Sequence, residues 1–87
     1  MSSAIDREWI EARIAATKEA IIAHEEAITA LSGGAQMYTL DTGQTKQTVM
    51  KSQLSQVRDA LWALEDRLQY YVNKLEGRGP VRIIPGY

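Results

Sequence analysis

Ile10, Ile14, Thr17, Ile21, His24, Ile28 and Leu31 follow one another at alternating steps of four and three. That spacing places all seven on one narrow stripe of an α-helix. Further along, Met50, Leu54, Val57, Leu61, Leu64, Leu68, Tyr71 and Leu75 step in the same way without a break. A helix with such a stripe leaves it wet unless something covers it, and a second helix of matching period is the natural cover. Two seams in one short chain therefore predict two helices packed antiparallel on each other.

Punctuation sets the ends. Ser3 with Asp6 three residues on is a weak capping box, and Ser32-Gly33-Gly34 is a glycine stop. Thr48 reads as the N-cap of the second helix, which Gly77-Arg78-Gly79-Pro80 ends. Helices over about 3–32 and 48–76 would each run ~28 residues, or ~42 Å. Trp9, Ala16, Ala20, Ala23, Ala27 and Ala30 form a second, mostly small stripe beside the first seam, where another backbone can come close. Between the helices, Met37-Tyr38-Thr39-Leu40 favours extended structure, and Asp41-Thr42-Gly43 signals a tight turn. A two-stranded hairpin is expected within about 36–48, with strands roughly at 36–40 and 44–48, leaning on the helices through Tyr38 and Leu40. The fold class is α+β, mainly α: two long antiparallel helices linked by a short β-hairpin. Residues 1–76 make this one domain, and residues 77–87 an extended C-terminal tail.

Composition narrows the function. At 87 residues there is room for one domain with a thin core. With no cysteine and one histidine, thiolate chemistry is excluded and a zinc site has no ligand set. His24 sits in the apolar seam, where a packed side chain with a hydrogen bond is the expected state. Glu25-Glu26 and Glu65-Asp66 are neighbours in sequence and do not share a helix face, so they read as solvated surface rather than an acid–base pair. No catalytic residue, cofactor or metal site is predicted, and the chain does not read as an enzyme. Met1-Ser2-Ser3-Ala4-Ile5-Asp6 lacks the basic start and apolar run of a secretion signal. No stretch approaches the ~20 apolar residues of a membrane span. A net charge of −1 argues against a broad nucleic-acid grip.

Some residues fit neither seam. At 100° per residue, Trp62 falls about a third of a turn from the second seam with Arg58, Gln69 and Lys51 near it, while Tyr70 lies on the back. Ile22 points away from the first seam. Exposed Trp and Tyr are enriched at protein interfaces, so Trp62 and Tyr70 are candidate contact residues. Stacking of nucleic-acid bases on Trp62 is the competing reading, weakened by Glu65 and Asp66 beside it.

The tail is the other candidate. Its prolines and glycines forbid a helix, yet Val81, Ile83, Ile84 and Tyr87 are apolar, and residues 77–87 carry Arg78 and Arg82 with no acidic side chain. Val81 and Ile83 alternate with Arg82 as in a strand added to a sheet edge. The expectation is a docking peptide that orders on a partner, rather than a tail folded back on its own helices.

Taken together, Tyr38-Thr39-Leu40-Asp41-Thr42-Gly43, the lead into the second helix from Lys46 to Leu54, the Leu54/Val57/Leu61/Leu64 seam and the stretch from Arg78-Gly79-Pro80 to Tyr87 resemble the phage head–tail joining proteins of the lambda W type. The resemblance implies a virion assembly protein, a head–tail connector or adaptor of the phage neck. Such a protein forms a homo-oligomeric ring under the portal after DNA packaging and receives the next neck or tail protein. It implies contact with portal protein and with copies of itself, DNA nearby in the channel without specific binding, and no membrane. It places the protein in the virion neck, and in the host cytoplasm during assembly. Beside it stand two alternatives: a generic helical-hairpin interaction module (capsid cement, tail-assembly factor or antidote protein) and a nucleic-acid binder.

Overall fold

The computed structural model describes residues 4–77, with the side chains of residues 7–77. Helix α1 spans Ala4–Ser32, strands β1 and β2 span Met37–Asp41 and Lys46–Met50, a single 3-10 turn covers Lys51–Gln53, and helix α2 spans Leu54–Leu75. The protein is mainly helical, two helices joined by a two-stranded antiparallel hairpin. Ser3 and the Asp6 side chain of the expected capping box, and the tail beyond Gly77, lie outside the described residues.

α1 stops where the glycines predict. The Ala35 N–H donates to the Ala30 carbonyl at 3.0 Å and the Gly34 N–H to the Leu31 carbonyl at 3.4 Å. Gly34 has φ +117°, which reverses the chain after the last turn. β1 then runs back along α1, with Tyr38 opposite Val49, Thr39 opposite Thr48 and Leu40 opposite Gln47. Because side chains alternate across a strand, Tyr38, Leu40 and Val49 face inward while Met37, Thr39, Thr48 and Met50 face out. The link between the strands is closed by the Thr42 N–H donating to the Thr45 carbonyl at 3.0 Å, and by the Gly43 N–H donating to Asp41 Oδ1 at 2.9 Å. Gly43 sits at φ +90°, so a glycine is required there.

The second helix begins later than Thr48. Thr48 belongs to β2, paired with Thr39, and Val49 is a buried strand residue at 5% exposure. β-Branched residues with period-two burial favour the strand, and pairing with β1 holds it through Met50. At the start of the 3-10 turn, Gln53 Oε1 reaches back to accept from the Met50 N–H at 2.8 Å, and Thr48 caps neither the turn nor the helix. The helices are therefore unequal, 29 and 22 residues.

The core sits at the closed end. Ala27, Leu31, Leu40, Val49 and Val57 are its buried members, with Ile28, Tyr38 and Leu54 packed around them. Within the alanine stripe Ala23 and Ala27 are buried, and Ala16, Ala20 and Ala30 half-buried. Polar seam residues are satisfied within their own helix. Thr17 Oγ1 donates to the Arg13 carbonyl at 2.7 Å, and His24 Nδ1–H donates to the Ala20 carbonyl at 2.7 Å. Towards the open end the seams are only half covered: Ile10, Ile14, Leu61, Leu64 and Leu68 all retain solvent contact. The molecule measures 47 × 31 × 14 Å in Cα positions.

Candidate protein–protein interface

Near the open end, three aromatic rings form a row across both helices. Trp9 of α1 meets Tyr71 of α2 edge to face, with centroids 6.0 Å apart and planes at 81°. Tyr71 in turn meets Tyr70 at 5.6 Å and 64°. Cations cover both ends of the row: the Arg13 guanidinium lies 5.8 Å from the Trp9 ring and the Lys74 ammonium 5.6 Å from the Tyr70 ring. Each edge-to-face pair contributes on the order of 0.5–1.5 kcal/mol, and an exposed cation–π contact ~0.5–1 kcal/mol. The row is thus held in place while much of it stays open, Trp9 at 58% exposure and Tyr70 at 52%. Arg13 Nε is shut off from solvent and has no hydrogen-bond partner among the described residues.

Trp62 is exposed at 61% and belongs to a different stripe of α2. Arg58, Asp66, Gln69 and Asn73 recur beside it at helical spacing, and Gln69 Nε2 donates to Asn73 Oδ1 at 2.9 Å. Eight residues separate Trp62 from Tyr70, ~12 Å along the axis and ~80° around it. The two predicted contact residues are therefore both exposed but not on one patch. Tyr70 is joined instead by Trp9, which sequence reasoning placed in the alanine stripe. A usable signal was present: an indole at the head of a stripe of alanines is too large for the close approach the alanines allow. The Met37–Met50 cross-strand pair, exposed at 56% and 41% on the outer face of the hairpin, was also missed. The remaining predicted residues, Arg78, Val81, Arg82, Ile83, Ile84 and Tyr87, lie outside the described residues.

The described surface carries exposed aromatic side chains on both helices. Among the described residues no group of three or more His, Asp or Glu is placed to hold a metal ion, and no helix is long and apolar enough to cross a membrane. The fold and surface define a thin helix–hairpin–helix module with aromatic contact surface on both helices. No family model, characterised protein or solved structure matches the chain.

Proposed function

We propose that this chain is a structural assembly protein of a tailed phage, a head–tail connector that forms a ring under the portal and receives the next neck or tail component. One observation carries the assembly part of this reading: the chain has two tryptophans, and both are more than half exposed, at 58% and 61%. Tryptophan is a well-buried residue type on average, and exposed indoles mark surfaces that a partner covers. A small two-helix protein with half-covered seams gains from neighbours on its faces, and a closed ring of identical copies supplies them. The connector role rests on the sequence resemblance alone. The role is structural, with no reaction assigned to it.

The test is direct. The full chain is mixed with the portal assembly encoded in the same genome and followed by sedimentation and electron microscopy. A ring of additional density on the portal, containing this chain, is the expected result. A chain that associates only with itself and leaves the portal bare points to the generic helical module. A chain that remains monomeric in every mixture overturns the assembly reading.

A further inference from the structure

Midway along α1 the hairpin turn closes over the helix and leaves an open cleft of about 400 Å³. Glu19, Ile22, Ala23 and Glu26 of α1 form one wall, and the turn residues Asp41, Thr42 and Gly43 the other. Gly43 allows the turn to sit this low: a Cβ there would lie 2.9 Å from Glu19 Oε1. Ile22 is 53% exposed, and the apolar strip continues from it past Thr29 and Ala30, with Glu25 and Glu26 alongside. No lysine, arginine or histidine lines either part of the strip. Among the described residues, none of these carboxylates has an ion-pair partner. The surface is therefore an apolar floor with an acidic rim, flanked by Lys18 one turn before Ile22 and by Lys46 across the strands from Asp41.

One segment of the chain has the complementary chemistry. From Arg78 to Tyr87 there are two arginines, four aliphatic or aromatic side chains and no acidic residue. We propose that the strip centred on Ile22 receives residues 78–84 of a second copy. Arg78 and Arg82 would meet the Glu19–Glu26 rim, and the intervening apolar residues would cover Ile22. The spacing suits this: four residues of extended chain span ~13 Å, and seven residues of helix separate Glu19 from Glu26 by ~10 Å on one face.

Reach decides for a second copy over the chain's own tail. The Trp9–Tyr71 contact sets those two residues level with each other. Gly77 lies six residues beyond Tyr71 in one direction, and Ile22 thirteen beyond Trp9 in the other. At ~1.5 Å per residue they are ~28 Å apart along the molecule. The five residues from Gly77 to Arg82 span at most ~18 Å, and Arg78 is a single step from Gly77. Both arginines can lie on the acidic strip only if they come from another molecule. This inference rests on the assembly reading and names the tail's partner within it.

A synthetic peptide of residues 78–87, titrated into the full-length protein and followed by amide chemical shifts, tests the cleft. Shifts confined to residues 19–30 and 41–43, weakened at least tenfold in affinity by Glu19→Lys with Glu26→Lys or by reversing both peptide arginines, are expected. No shifts, or shifts centred on the Trp9–Tyr71–Tyr70 row, overturn the proposal. A second measurement settles which molecule supplies the tail. Because the chain has no cysteine, Ile22→Cys and Val81→Cys can be placed alone on two differently tagged full-length chains. A disulfide-linked mixed dimer under mild oxidation supports docking between copies. A link that forms only within one chain carrying both substitutions, or no link at all, overturns it. A chain that still joins the portal ring while failing these tests keeps the assembly reading and loses this one.

Discussion

Trp9 of α1 presses edge to face on Tyr71 of α2, 6.0 Å between centroids, and so ties the two helices together far from the hairpin. Most of the buried core lies at the other end, around Leu31, Leu40 and Val57. The open end therefore depends on half-covered aliphatic residues and this aromatic pair. A double-mutant cycle with Trp9→Ala and Tyr71→Ala, read by urea unfolding, should give a coupling of ~0.5–1.5 kcal/mol. Strict additivity would mean that the rings touch without holding the helices together.

The location of the core predicts a ranking of leucines. Leu40 is 1% exposed and Leu31 fully buried, whereas Leu61 and Leu64 retain solvent contact. Leu40→Ala should cost ~2–5 kcal/mol, enough to unfold a marginal domain. Leu61→Ala should cost less than ~2 kcal/mol, since less of its surface leaves water on folding. Chemical denaturation of the two variants gives the order. A larger loss at Leu61 would place the core in the helical seam rather than beneath the hairpin.

Gly43 has two reasons to be glycine, and they separate experimentally. Its φ of +90° strains any side chain, and a Cβ would come 2.9 Å from Glu19 Oε1. The carboxylate is the far end of a flexible side chain and can move, so the backbone term should dominate. Gly43→Ala is expected to lose ~1–3 kcal/mol. The same loss should appear in a Glu19→Ala background. Recovery of stability in that background would assign the cost to crowding instead.

Much of the fold is legible in the chain because its signals agree with one another. The four–three steps of Ile10 to Leu31 and of Leu54 to Leu75, the stop at Gly33-Gly34 and the turn at Asp41-Thr42-Gly43 each correspond to an observed element. The stretch from Thr48 to Gln53 is ambiguous for a physical reason. Met50 continues the helical stepping, while Val49 satisfies a period-two strand pattern, and only cross-strand pairing with Met37-Tyr38 decides between them. The candidate surface was half legible. Trp62 and Tyr70 stand out by projection on one helix, but the Trp9–Tyr71–Tyr70 row depends on how far α2 extends along α1. That register follows from where β2 ends, which the helical period does not encode. The strip around Ile22 was visible only as an isoleucine off the seam, because its acidic wall is completed by a turn some twenty residues away.

Trp62 gives the sharpest separation of stability from association. At 61% exposure it buries little apolar area in the single copy, and it lies off the core at the hairpin end. Trp62→Ala should therefore change the unfolding free energy of the monomer in urea by less than ~0.5 kcal/mol, as for ordinary surface substitutions. If a neighbouring molecule covers the indole in the assembled state, the same variant should lose ~2 kcal/mol or more of binding, roughly thirtyfold in Kd for the portal or ring neighbour. The two numbers come from independent measurements on one protein, unfolding of the free chain and binding by sedimentation. A variant that unfolds much more readily would assign the indole to the fold. A variant with unchanged unfolding and unchanged binding would remove Trp62 from the interface and leave the Trp9–Tyr71–Tyr70 row as the contact surface. Arg58 beside it supplies the control for base stacking: Arg58→Ala should leave the salt dependence of binding nearly flat, whereas a nucleic-acid contact would lose about one unit of slope.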